Sequence, residues 1–136
     1  MYGNTFWIAY DNMGTKIIII EDDDDLRGLM RVSLEAAGYD VVTQSNGSDT
    51  DNSETAADLY IIDINLGGVS GLDICRQIKA RDHVPNAPPY IIMISANPDV
   101  GELAIEACAD DTLPKPFNAK QLLNKIPEYF RHAQVA

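Results

Sequence analysis

Four short apolar runs, each broken off by a reactive or charged residue, constrain this chain more than any other feature of its sequence. Lys16-Ile17-Ile18-Ile19-Ile20 runs into Glu21-Asp22, and Leu59-Tyr60-Ile61-Ile62 runs into Asp63. Tyr90-Ile91-Ile92-Met93-Ile94 runs into Ser95-Ala96, and the shorter Thr112-Leu113-Pro114 into Lys115-Pro116. Continuous apolar runs without alternation suit strands buried on both faces, as in a parallel sheet covered by helices. In an open parallel sheet the functional site lies beyond the carboxyl ends of the strands. Carboxylates, a hydroxyl and an ammonium would therefore gather at one edge.

The intervening segments read as helices. After the first strand, Asp23, Asp24 and Asp25 supply an N-cap and first-turn acids that complement a helix dipole. Leu26, Met30, Leu34 and Ala37 then recur at helical spacing, and Gly38 fits a C′ stop. A second strand is predicted from Tyr39 to Gln44. Residues 46–57 are polar and lack apolar periodicity, so the second helix is expected to be weak or short. Leu72, Cys75 and Ile78 mark a helix after the third strand, Leu103, Ala104 and Ala107 another, and Leu122, Leu123, Ile126 and Phe130 the last. Repeated β–α alternation implies right-handed crossovers and a parallel sheet. The expected fold is an α/β, flavodoxin-like, doubly wound sheet of five parallel strands in the order 2-1-3-4-5.

With 136 residues and 46% hydrophobic content, the chain is long enough for one real core. A net charge of −11 argues against nucleic-acid binding, which needs a basic face. No run is long enough to span a membrane, and the N-terminus lacks the pattern of a secretory signal. Cys75 and Cys108 have no metal-ligand spacing and read as reduced, packed residues. A cytoplasmic location is expected.

In the assumed strand order, Glu21-Asp22, Asp63, Ser95 and Lys115 line one edge. Carboxylates held close together raise one another's pKa values, and a hard divalent cation relieves that repulsion. Lys115 adds a compact positive charge that suits a carboxylate or a phosphoryl group. Aspartate is a known nucleophile in phosphoryl transfer, a reaction that depends mainly on positioning and charge neutralisation. The acidic run does not fit an EF-hand, because the glycine and terminal glutamate of that loop are missing.

These motifs resemble the receiver domain of two-component response regulators, over nearly all of residues 16–130. The likeness rests on Glu21-Asp22, on Ile61-Ile62-Asp63-Ile64-Asn65-Leu66, on Ser95-Ala96, on Lys115-Pro116-Phe117 and on Ala109-Asp110-Asp111. It implies that Asp63 is the phosphoacceptor. It also implies that Asp22, with Glu21 partly through water, holds Mg²⁺ (or Mn²⁺) together with Asp63 and the backbone carbonyl of Asn65. Lys115 would contact the phosphoryl group, Ser95 would be the switch hydroxyl, the Ala96 N–H a further donor, and the bond to Pro116 cis. The implied partner is a histidine kinase or histidine phosphotransfer protein. Output would pass by protein contact or onward transfer, through a target the sequence does not name. The domain is expected over residues 16–132, with a tail at 133–136 and no attached output domain.

Three positions depart from the family pattern. Gly67 stands where proline is usual, which implies a looser loop. Thr112 replaces the usual aromatic, so coupling to the switch hydroxyl must weaken or use another element. Cys108 replaces a common glycine. Two other functions stay open: a degenerate receiver acting as an interaction module, and a phosphohydrolase, although Asn65 fills the second position of the Asp-x-Asp pattern that class uses. His83 and His132 read as solvated, and Tyr129 and Phe130 as core contacts. Residues 1–15 contain Phe6, Trp7, Ile8 and Tyr10. They read either as a tag or upstream start, or as an arm docking over the sheet and burying Trp7.

Overall fold

The computed structural model describes residues 14–47, 57–81, 88–97, 101–107 and 109–130. Five parallel strands, β1 (Lys16–Ile20), β2 (Asp40–Gln44), β3 (Leu59–Asp63), β4 (Tyr90–Ser95) and β5 (Asp111–Pro114), form one sheet in the order β2-β1-β3-β4-β5. Among the described residues, four helices alternate with them: α1 (Asp24–Ala36), α2 (Gly71–Ala80), α3 (Gly101–Glu106) and α4 (Ala119–Lys125). Register sets the site. Ile20 pairs with Ile62, Asp63 with Ile94, and Ser95 with Pro114, so the residues that follow each run share one edge.

The strands divide their side chains between two cores with the period of two that a pleated backbone imposes. Ile17, Ile19, Ile61, Ile92 and Ile94 face α1 and α4, where Met30, Leu34, Leu122 and Ile126 cover them. Ile18, Ile20, Tyr60, Ile62, Ile91 and Met93 face Ile74, Cys75 and Ile78 of α2 and Ala104 of α3. Each fully buried isoleucine contributes roughly 1.5–3 kcal/mol relative to exposure. That explains why the runs carry no polar interruption before their last residue.

Helix ends follow the local chemistry. The Asp23 carboxylate caps α1 by accepting the N–H groups of Asp25 and Leu26 at 2.9 and 3.1 Å. Gly38 follows α1 with φ +98°, a conformation glycine adopts without penalty. Asn118 and Gln121 form a reciprocal capping box on α4.

The last helix is shorter than the expected stripe to Phe130. It ends at Lys125 because Pro127 lacks an N–H and its ring blocks continuation, leaving a 3-10 turn at Glu128–Phe130. Phe130 packs on the core, but Tyr129 is exposed, which corrects its expected core role. The expected weak second helix lies largely within residues 48–56, outside the described residues. The same holds for Phe6, Trp7, Ile8 and Tyr10 of the N-terminal segment, for His83, Cys108 and His132, and for the tail at 133–136.

Candidate functional site

Beyond β1 the chain divides its acids by task. Asp23 is consumed as the helix cap, Asp22 is exposed, and Glu21 is fully buried. The Arg27 side chain reaches back from α1 to donate to the Glu21 backbone carbonyl at 2.8 Å, which fixes where β1 ends. Glu21 Oε2 accepts the Asp23 N–H at 3.3 Å.

The centre of the site is a lysine shared by two carboxylates. Lys115 Nζ lies 2.9 Å from Glu21 Oε1 and 3.0 Å from Asp63 Oδ2. The contact with Asp63 is an aligned hydrogen bond. The contact with Glu21 is an ion pair without hydrogen-bond alignment, which leaves Oε1 buried and unsatisfied. Burial, then a hydrogen bond with Asp63, push the Glu21 carboxyl up to about 7 against the opposing pull of Lys115. For Lys115, burial lowers the pKa, but pairing with Glu21 and Asp63 prevails and raises it above its ordinary value. The lysine therefore stays charged, while Glu21 keeps its proton to a higher pH than an ordinary glutamate.

Asp63 ends β3 almost fully buried. Its Oδ1 accepts the Asn65 N–H at 3.1 Å, so one oxygen is oriented by backbone and the other by Lys115. The loop beyond turns through Gly67 at φ +63° and Gly68 at φ +109°. Proline cannot adopt the first of these, which accounts for glycine at that position. Ser95 ends β4 with its hydroxyl turned into a local turn, where it accepts the Asn97 N–H at 3.0 Å and donates to the Asn97 carbonyl at 3.3 Å. Ala96 is exposed beside it, and the Lys115–Pro116 bond is cis. Thr112, two strands from Asp63 and half-buried, does not line this cleft.

Asp22, Asp63, Asn65, Ser95, Ala96 and Lys115 all border one open cleft, so nearly every residue singled out in the sequence converges there. Glu21, Asp22 and Asp63 each offer a carboxylate oxygen, and these lie within 4.8 Å of one another. An all-oxygen donor set of that spread suits a small hard cation such as Mg²⁺.

One positioning residue escaped the sequence. A Cβ built on Gly71 would lie 2.0 Å from the Asp63 backbone oxygen, so α2 starts directly against the chain that carries the acid. A glycine at the first position of a helix, where a side chain is normally tolerated, was the available signal.

Known proteins share this fold. The family profile described as the response regulator receiver domain matches residues 17–127. The DNA-binding response regulator MtrA of Mycolicibacterium smegmatis is 32% identical over 120 residues, covering 85% of this chain and 50% of the relative. The phosphate regulon transcriptional regulatory protein PhoB of Rhizobium meliloti is 34% identical over 123 residues, covering 88% and 53% respectively. The chain thus spans about half the length of the curated relatives it matches. Among solved structures, the BeF3-activated receiver domain of DrrB from Thermotoga maritima superposes with a TM-score of 0.74 at 30% identity, over 88% of this chain and 99% of that one. The chemotaxis response regulator CheY4 of Vibrio cholerae shares the fold with a TM-score of 0.71 at 24% identity, over 81% of this chain and 93% of that one.

Proposed function

Because the chain belongs to the response regulator receiver domain family, we propose that it is a phosphoacceptor switch of a two-component or phosphorelay system, with Asp63 as the acceptor. The observation that carries this reading is the environment of Asp63: buried at a strand end, oriented through both oxygens, and open to a cleft shared with Asp22, Ser95 and Lys115. The donor is a phosphohistidine on a histidine kinase or histidine phosphotransfer protein, and the setting is cytoplasmic. A carboxylate oxygen of Asp63 bonds to phosphorus as the phosphorus–nitrogen bond breaks, and the departing imidazole keeps the electron pair and takes up a proton.

Glu21, Asp22, Asp63 and the backbone carbonyl of Asn65 are the groups that would hold Mg²⁺ (or Mn²⁺), which supplies neutralisation of phosphoryl oxygen charge. Lys115 already points at Asp63 and adds a second positive charge at the oxygens that become more negative in transfer. Ser95 leaves its turn with Asn97 to bond the phosphoryl group, with the Ala96 N–H as a further donor. Phosphorylation then shifts the balance between two conformations only through contacts that differ between them. The molecule acts as a switch, with slow self-hydrolysis of the aspartyl phosphate and no turnover of a separate substrate. The receiver occupies residues 16–132, preceded by an extension at 1–15 and followed by a tail at 133–136.

The test is incubation with Mg²⁺ and acetyl phosphate, read by intact-protein mass spectrometry. Wild type should gain one phosphoryl group, and Asp63→Asn none. No gain in wild type under any condition would leave an interaction module with a vestigial site.

A further inference from the structure

A second cavity, of about 160 Å³, lies behind the acidic cleft. Ile64, Met93, Leu113 and Pro114 line it, and its polar residues are Ser95, Asn97 and Thr112. The residue at 112 sets its size: threonine on β5 is half-buried and leaves the space beside it open. Opposite stands Gly101, the first residue of α3, where an added Cβ would meet no atom within 4 Å. An apolar cavity of roughly 150 Å³ is large enough to take a benzene ring. Binding sites of this kind are apolar with a few convergent polar groups that fix orientation.

We propose that this cavity binds a single aromatic ring bearing one hydroxyl, and that its occupancy is linked to the acceptor site. The apolar residues match the ring faces, and the polar residues Ser95, Asn97 and Thr112 offer partners for one polar substituent. Linkage follows from shared walls, because Ile64 and Ser95 border both the cavity and the acidic cleft. A ring that holds the Ser95 hydroxyl changes what that hydroxyl can do for Asp63, and the coupling is reciprocal. The linkage rests on the acceptor function proposed above; ring binding does not.

The experiment is a titration of the full chain, methyl-labelled at methionine, isoleucine and leucine, with phenol and separately with N-acetyl-tyrosinamide. The expected result is saturable shifts confined to the methyls of Ile64, Met93 and Leu113. Saturation by phenol alone assigns the site to a free small molecule, and saturation by both assigns it to a tyrosine side chain offered by another protein. Thr112→Phe fills the cavity from β5 and Gly101→Leu from α3, the latter replacing glycine with a better helix former. Each should weaken binding at least tenfold. Absence of saturable shifts, or shifts that persist in either folded filler variant, overturns the proposal.

Saturating phenol should also change the rate of labelling by acetyl phosphate at least twofold in wild type and not in Thr112→Phe. An unchanged rate overturns the linkage. A wild-type protein that never accepts phosphate would instead remove the acceptor function, with the methyl titration still deciding ring binding.

Discussion

The substitution Gly71→Ala puts the connection between helix packing and acceptor chemistry to a direct test. Its methyl group would sit 2.0 Å from the Asp63 carbonyl oxygen, 2.8 Å from the Asp63 carbonyl carbon and 2.9 Å from Ile64 Cα. All three are backbone atoms, so no side chain can swing away. Ordinary contact begins near 3.4 Å, and the oxygen or the methyl must therefore move by about 1.4 Å (3.4 minus 2.0). The Gly71 N–H also donates to the Ile64 carbonyl at 2.7 Å, which ties the helix start to the same stretch of chain. Either α2 retreats, loosening the packing of Ile74 and Cys75, or Asp63 shifts. Overpacking of this kind costs about 1–3 kcal/mol, offset by at most about 1 kcal/mol of helix propensity. A shift of about 1 Å in a reacting group can lower a rate about 100-fold.

Urea denaturation and labelling by acetyl phosphate with Mg²⁺ measure the two effects on one sample. Gly28→Ala is the internal control. Gly28 sits within α1 with nothing within 4 Å of its Cβ, so alanine should stabilise by about 0.5–1 kcal/mol and leave labelling unchanged. A Gly71→Ala protein that labels at the wild-type rate and stays within about 0.5 kcal/mol of wild-type stability would refute the reasoning.

Three further outcomes are expected. The Glu21 carboxyl titrates at about 7 when folded against an ordinary value of 4.5, so the folded state binds the extra proton between those values. The stability it contributes is full below about 4.5 and is lost as pH rises through about 7, a difference on the order of 3 kcal/mol. In metal-free buffer, urea midpoints should fall from pH 5 to pH 8, and Glu21→Gln should flatten that fall; an equally steep decline in the variant counts against the assignment. Asp22→Ala should abolish Mg²⁺-dependent labelling while the domain stays folded or gains stability from relieved repulsion, and normal labelling would disprove its metal role. Asp110 Oδ2 accepts the Ile91 N–H at 2.8 Å and Lys79 Nζ at 2.7 Å, so Asp110→Ala should destabilise by about 1–3 kcal/mol in urea, with no effect if that N–H finds water instead.

The strands β1, β3 and β4 were legible because burial on both faces leaves a continuous apolar signature that ends where the site begins. β5 was harder: of its four residues only Leu113 is buried, and Lys115-Pro116 marked its end better than hydrophobicity did. The cap at Asp23 was legible because it is a local interaction between neighbours in sequence. The depth of Glu21 was not, since it depends on Lys115 arriving from β5 to pair with it. Thr112 was legible as an absence, but the cavity beside it required the positions of Met93, Ile64 and Gly101. The positioning role of Gly71 was missed for a similar reason: glycine at a helix start was a signal, but the space available to a Cβ is a property of the assembled fold.

The lysine that bridges Glu21 and Asp63 also ties the two halves of the sheet together. β1 pairs with both β2 and β3, so Glu21, Asp22 and Asp63 all belong to the first half of the sheet. Their counter-charge is encoded 52 residues beyond Asp63, after the edge strand with the least apolar surface of its own. Repulsion stored in the early half of the sheet becomes attraction for the late half. The same ion pairs that orient the acceptor hold the end of β5 against β1 and β3, so the site and the sheet edge depend on one another.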